Sequence, residues 1–193
     1  MGGRSGGGGG MGRDTTYKGT IRNVESLVHM KDPRMYKATK EAISNFSAKL
    51  GVPERNIKLA DLQGNVMGIG TKGEVYLNKK YFNKSASEFA KTMQGNYQSG
   101  HTTITNKPLA HVATHELAHA AWQNNQKSPK AIAAGKDIQK VYKSWVKSGG
   151  KGYGSYAKSN IDEFWAEAST KAAHGTADKY TKAIKNIYKK YQL

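Results

Sequence analysis

Hydrophobic and polar positions in the first half of the chain predict one long helix followed by short extended segments. Residues 33–50 carry apolar side chains along one helical stripe; Asp32 followed by Pro33 is typical of a helix start, and Gly51 ends the stripe. The segment GEVYLN alternates apolar and polar residues and therefore indicates a strand. The extended segments lie at residues 57–62, 65–70 and 73–78.

The second half of the chain predicts helices almost throughout. Ser85 and Glu88 form a capping-box pattern, which predicts a helix that reaches about Tyr97. Further helices are expected near residues 109–125, 129–147, 160–174 and 176–191. A helix, then a small sheet, then a mostly helical C-terminal half is an α+β arrangement.

Residue composition divides the chain into three parts. Residues 1–12 are mostly glycine, and we expect them to form a flexible lead. Residues 13–31 show no clear periodicity, and we expect them to be partly ordered. Folded structure is expected to begin at Asp32, so that residues 32–193 form one domain, long enough to enclose a single core.

Composition also restricts the chemistry that the chain can carry. Cysteine is absent, so a metal site must be built from His, Asp, Glu or Tyr. The chain has 31 basic and 14 acidic residues and a formal net charge of +17, which raises its affinity for a polyanion or an acidic protein surface. The lysines are scattered along the chain, which favours a solvated basic surface over a dedicated nucleic-acid groove.

The ends and the apolar runs of the chain bear on its location. The N-terminus lacks the apolar run of a signal peptide, and no segment is long enough to span a bilayer. We therefore expect a protein that is cytoplasmic or that is delivered by a virion or a secretion system.

The segment HVATHELAHAAW contains an HExxH motif formed by His115, Glu116 and His119. Residues four apart lie on one face of a helix, so the two histidines can hold one zinc ion. Glu116 projects from nearly the same side and can act as general base on a water at that ion. The motif predicts one bound Zn²⁺ and hydrolysis of a protein or peptide substrate.

A catalytic zinc of this type needs a third protein ligand. The metzincin pattern is excluded, because Trp122 and Asn125 stand where it requires glycine and histidine. The later segment SNIDEFWAEAS, residues 159–169, offers three carboxylates instead.

These carboxylates divide into different roles. Asp162 can close a capping box with Ser159, which leaves Glu163 free to face inward as the third ligand. Glu167 lies one turn further along the same face and can hydrogen-bond a ligand histidine. The reverse assignment, with Glu167 as ligand and Glu163 outside it, stays open at this point.

The pairing of HELAH with SYAKSNIDEFWAEA resembles the catalytic domain of anthrax toxin lethal factor and its relatives, the gluzincin-type zinc metalloproteases. Related domains also occur in phage and mobile-element proteins. The resemblance implies a zincin-like fold in which His115 and His119 bind zinc, Glu116 is the general base and Glu163 is the third ligand. It further implies that Tyr156, seven residues before Glu163, stabilises the oxyanion.

The likeness covers about residues 73–170 and includes two departures, Trp165 and Ser169, which stand where the family has phenylalanine. It implies that GEVYLN is the edge strand along which an extended substrate lies. Tyr153 is the alternative to Tyr156, because the intervening segment GYGSY is rich in glycine.

His111 lies one turn before His115. Ligands on three successive turns would spread too far around the helix axis to bind one ion well, so we expect an exposed or helix-entry histidine, with a role beside the site as the alternative. The remaining histidines carry no motif and are expected at the surface, with His174 at a helix end. They are His29, His101 and His174.

A second interpretation of the whole chain is a basic structural or nucleic-acid-binding protein of a phage or mobile element, with a structural or vestigial zinc site. The intact Glu116 and the placement of Tyr156 favour the enzyme. The charge of +17 and the glycine-rich lead favour the second interpretation, or a protease that its basic surface localises.

Overall fold

The computed structural model describes residues 17–123 and 127–193. The lead predicted at residues 1–12 lies outside these ranges. The described chain is α+β, with a small mixed sheet and a mostly helical C-terminal half, as the sequence predicts. None of the helices in these ranges has the length and apolar character needed to cross a bilayer.

The strands are β1 (Ile21–Ser26), β2 (Ile57–Leu62), β3 (Gly68–Thr71) and β4 (Glu74–Asn78). The helices are α1 (Pro33–Leu50), α2 (Lys79–Phe82), α3 (Ala86–Gln98), α4 (Pro108–Gln123), α5 (Pro129–Lys147), α6 (Ile161–Ala173) and α7 (Lys179–Tyr191).

The four strands form one sheet in the order β1-β2-β4-β3. Strands β2 and β4 are parallel, and each outer strand is antiparallel to its neighbour. The expectation that GEVYLN is the edge strand is wrong, because β4 is hydrogen-bonded on both sides. The edge that faces α4 is β3 instead.

Folded structure begins before Asp32, where the sequence predicts its start. Strand β1 pairs with β2, and a 3-10 turn follows at Leu27–His29. Most side chains of β1 are exposed, so the strand lacks the alternation of apolar and polar residues by which a sequence reveals a strand. Backbone pairing holds it in place.

Local signals fix the starts of α1 and α3 as predicted. The side chain of Asp32 accepts the backbone N–H of Arg34 at 2.8 Å, and Pro33 lies in the first turn of α1. Ser85 and Glu88 form a capping box at the start of α3. Both predictions are confirmed.

Helix α6 begins differently from the prediction. Its N-cap is Asn160, whose side-chain oxygen accepts the backbone N–H of Glu163 at 2.9 Å. The predicted capping box between Ser159 and Asp162 is therefore wrong. Asp162 is buried, and burial raises the pKa of its carboxyl.

Helix α4 is enclosed on most sides by α1, α6 and β3. Apart from Glu116, its residues 110–122 are buried. The indole N–H of Trp165 donates to the carbonyl oxygen of Ala118 at 3.1 Å, and the Trp165 ring packs against Trp122. Packing from several elements thus sets the position of the helix that carries the HExxH motif.

Two glycines let β3 approach α4 closely. A Cβ atom on Gly70 would lie 1.9 Å from the backbone oxygen of Glu116, and one on Gly68 would lie 2.8 Å from Glu116 Cγ. No larger residue fits either position without displacing the helix or its side chain. The sheet edge and the motif are therefore in direct contact.

Candidate metal centre

Helix α4 places the two motif histidines side by side. His115 and His119 are both buried, and their Nε2 atoms lie 3.1 Å apart. This follows from the helix repeat, which stacks residues four apart on one face. Glu116 projects next to them and is the partly exposed member of the motif.

Helix α6 brings Glu163 to the same point. Glu163 Oε2 lies 3.0 Å from His115 Nε2 and 3.3 Å from His119 Nε2. The Asn160 cap fixes the first turn of α6 and thereby the direction of this side chain. One carboxylate oxygen thus faces both imidazoles.

The three atoms form a triangle that suits a metal ion. In a tetrahedral zinc site with bonds of about 2.0–2.1 Å, neighbouring nitrogen and oxygen ligands lie about 3.3 Å apart. Two imidazole lone pairs and a carboxylate oxygen repel one another unless a proton or a cation lies between them. The donor types, the spacing and the burial of this group therefore fit zinc.

Glu167 lies on the other side of the His115 ring, next to its Nδ1 atom. Its side chain is fully buried, and its Oε1 lies 3.2 Å from His115 Nδ1. Its Oε2 accepts the backbone N–H of Thr103 at 2.7 Å. A carboxylate at Nδ1 keeps the proton on that nitrogen and leaves Nε2 available to an ion.

His111, His115 and Glu167 form a second group whose atoms lie close enough to hold a metal. His111 Nε2 is 3.6 Å from Glu167 Oε1. Both groups border a cavity, but this one would use the Nδ1 atom of His115 and leaves out His119, whereas Glu163 faces the Nε2 atoms of both motif histidines. The geometry therefore favours Glu163 over Glu167 as the ligand beside His119.

His111 and His174 are buried, so the expectation of an exposed side chain is wrong for both, and His111 has the alternative position beside the site, next to Glu167. His111 Nδ1 lies 3.1 Å from the hydroxyl of Tyr97. His174 ends α6 as predicted, but its ring nitrogens contact Thr105 at 2.9 Å and Thr114 at 3.0 Å. Burial lowers the pKa of His174 to about 3, so it is neutral at physiological pH.

Tyr156 lies beside the three candidate ligands. Its ring stacks on that of His115 with centroids 5.8 Å apart, and together with Glu116 it lines two adjoining cavities, a larger one of about 480 Å³ and a smaller one of about 170 Å³. The hydroxyl of Tyr153, the alternative, lies 3.2 Å from each carboxylate oxygen of Asp178. The structure brings Tyr156, and not Tyr153, to the candidate site.

His101 is exposed, as the sequence predicts, and it also lines the larger cavity. Its carbonyl oxygen accepts the backbone N–H of Tyr156 at 2.9 Å, and the two rings lie 5.1 Å apart. Gly100, whose φ of 67° lies in the left-handed region, turns the chain after α3. A Cβ on Gly154 would meet the His101 oxygen at 2.4 Å, so the two loops approach through glycine.

Burial and neighbouring charges set the protonation of the site. Burial raises the pKa of Glu116, while the charges of His115 and His119 oppose that rise. Burial alone would lower the pKa of His115, but hydrogen bonds to Glu163 and Glu167 raise it well above its usual value. A metal ion would replace the proton held there, so we expect binding to release protons.

Two cavities adjoin His115 and Glu116. The larger has a volume of about 480 Å³ and includes Met67, Met93 and Val112 in its lining. The smaller, of about 170 Å³, follows β3 and also contacts His119 and Glu163. The candidate ligands thus border a cavity on the side of the sheet edge.

Comparisons with protein-family models, with curated proteins and with solved structures each give no match. The functional assignment therefore rests on the side chains of this chain and their geometry.

Proposed function

We propose that this protein is a zinc-dependent endopeptidase with a zincin-like catalytic domain. The observation that carries the proposal is the triangle of His115, His119 and Glu163 beside the partly exposed Glu116. A structural zinc is closed by four protein ligands, whereas a catalytic zinc has three. The group around the two motif histidines has three such side chains among the described residues.

A bound zinc would lower the pKa of a water and polarise the scissile carbonyl. Glu116 would take the proton of the attacking water and deliver it to the leaving amine. Burial raises the pKa of this carboxyl, and the charge of a bound zinc would oppose that rise and favour the ionised form that takes the proton.

Tyr156 would donate a hydrogen bond to the carbonyl oxygen as negative charge develops there. Burial and the charge of Glu163 raise the pKa of the Tyr156 hydroxyl, which keeps it protonated. Its stacking on His115 supports this role, because it holds the phenol next to the candidate ligands.

The edge strand β3 offers a place for an extended peptide. A substrate strand could add to β3, the outer strand of the described sheet, by backbone hydrogen bonds, and the smaller cavity follows this strand to His119 and Glu163. A side chain of the substrate would enter the larger cavity near Met67 and Met93. Substrate is therefore proposed to be a protein or peptide in extended form.

Zinc analysis and one isosteric substitution test the proposal. We expect about one zinc per chain in the purified protein. Glu116→Gln should retain that zinc and lose cleavage of peptides by at least about 10²-fold. Zinc-free protein after purification, or cleavage by the variant at the wild-type rate, would refute the proposal.

A further inference from the structure

Lysines gather on the outer faces of α5 and α7. Within their bounds these two helices carry ten lysines, no arginine and one acidic residue, Asp137. Both cavities at the candidate zinc site are lined by residues of other elements. The lysines are Lys130, Lys136, Lys140, Lys143 and Lys147 in α5, and Lys179, Lys182, Lys185, Lys189 and Lys190 in α7.

Four of the α5 lysines form a row along one side of the helix. Their spacing of four, three and four residues places them on one face, over a length of about 16 Å. All four are exposed, and the opposite face of α5 is buried through Ala134, Ile138 and Trp145. The α5 lysine row is Lys136, Lys140, Lys143 and Lys147.

Asp137 joins the lysines of the two helices into one surface. Lys140 Nζ lies 3.2 Å from one of its carboxylate oxygens, and Lys190 Nζ lies 2.8 Å from the other. The hydroxyl of Tyr191 donates to the same carboxylate at 2.7 Å. Because one carboxylate serves two ammonium groups, the junction keeps a net positive charge.

We propose that this surface of α5 and α7 binds the phosphate backbone of duplex nucleic acid without reading its sequence. Lysine binds phosphate as a point charge, and a row of lysines along one helix presents several such charges at once. The two helices offer no arginine to contact base edges, and none of their aromatic rings is fully exposed for stacking on bases.

A lipid surface suits these helices less well. A helix that lies in a membrane interface buries large apolar side chains beside its cationic residues. The large apolar side chains exposed on α5 are only those of Ile132 and Val146, which stand near opposite ends of the helix. Because this basic surface lacks an apolar face, nucleic acid is favoured over an anionic membrane as its partner.

The strength and salt dependence of this binding follow from its electrostatic origin. Sequence-independent binding through lysines typically has a Kd of about 10⁻⁴ to 10⁻⁶ M at physiological salt. Each phosphate contact adds about 0.9 to the slope of log K against log salt. The α5 lysine row should therefore contribute about 3 to 4 to that slope.

The test compares two variants of the full chain with equal charge. In the first, the four residues of the α5 lysine row are changed to glutamine. In the second, four exposed lysines of α1 and α3 are changed to glutamine, and these are Lys37, Lys40, Lys49 and Lys91. Binding to a fluorescent 20-base-pair duplex is measured by anisotropy at several salt concentrations.

We expect the first variant to bind the duplex at least about 10-fold more weakly, with the salt slope reduced by about 3 to 4, and the second to stay within about 3-fold of wild type. Equal loss in both variants, a flat salt response, or absent wild-type binding at low salt would overturn the proposal. Tighter binding to phosphatidylglycerol vesicles than to the duplex would overturn the choice of nucleic acid.

Two controls keep the result interpretable. Thermal unfolding shows whether the first variant folds; if it does not, Lys182→Gln with Lys189→Gln on α7 takes its place, and unchanged binding in that variant contradicts the proposal. Glu116→Gln should bind the duplex as wild type does, because the surface lies outside the cavities of the candidate site. Duplex binding therefore stands or falls separately from peptidase activity.

Discussion

The contact between β3 and α4 gives the sharpest prediction for the placement of the candidate site. In Gly70→Ala the new Cβ would start 1.9 Å from the backbone oxygen of Glu116 and 2.9 Å from the backbone nitrogen of Ala120. Ordinary contact begins at 3.4 Å. The obstacle is backbone on both sides, so strand and helix must separate by about 1 Å or more.

The size of the effect follows from this displacement. Overpacking in an enclosed contact costs about 1–3 kcal/mol of unfolding free energy. Movement of α4 also shifts Glu116 relative to the carboxylate of Glu163, which lies on α6. A displacement of about 1 Å at a catalytic centre lowers the reaction rate by about 10²-fold. We therefore expect Gly70→Ala to be less stable, to bind zinc more weakly and to cleave peptide slowly.

Urea unfolding and zinc competition with a chelator measure these effects, with Gly95→Ala as the matched control. Gly95 lies within α3, and a Cβ there has no neighbour within 4 Å. That substitution should stabilise the protein by about 0.5–1 kcal/mol. If Gly70→Ala unfolds at the same urea concentration as wild type and binds zinc equally well, the close approach of sheet and helix is refuted.

Three further predictions concern the side chains around the triangle. Glu167→Gln should weaken zinc binding by about 10- to 100-fold in a chelator competition, because the amide has one accepting oxygen in place of the two that face His115 Nδ1 and the backbone N–H of Thr103; unchanged affinity would exclude that support. His101→Ala should lower kcat a few-fold, whereas His101→Phe should retain most of the activity because it keeps an aromatic ring beside Tyr156. Equal losses of kcat in both variants would exclude the stacking role. Glu116 must be ionised to act as base, so kcat/KM should fall at acid pH as this carboxylate takes up a proton; a pH profile without an acidic limb would contradict this account.

Much of the local structure could be predicted because its causes are local. The N-cap at Asp32, the capping box of Ser85 and Glu88 and the four-residue spacing of His115 and His119 each depend on residues within one or two helical turns. The α+β order of a helix, a small sheet and a mostly helical half was predicted from local sequence patterns of the same kind.

The structural features that the sequence did not predict depend on contacts between distant segments. His111 and His174 look like surface residues in isolation, yet packing of α3 and α6 on α4 buries both. The position of β4 inside the sheet depends on its pairing with both β2 and β3, which no local pattern reveals. In β3, the alternation of Gly68 and Gly70 was a usable signal of close backbone approach.

The comparison of wild type with Glu116→Gln, both loaded with zinc and offered the same peptide library, tests the central claim most directly. We predict equal zinc content in the two proteins and cleavage products from the wild type alone, since the variant should be slower by at least about 10²-fold. Equal cleavage by both proteins, or no cleavage by either with zinc in place, would contradict the account.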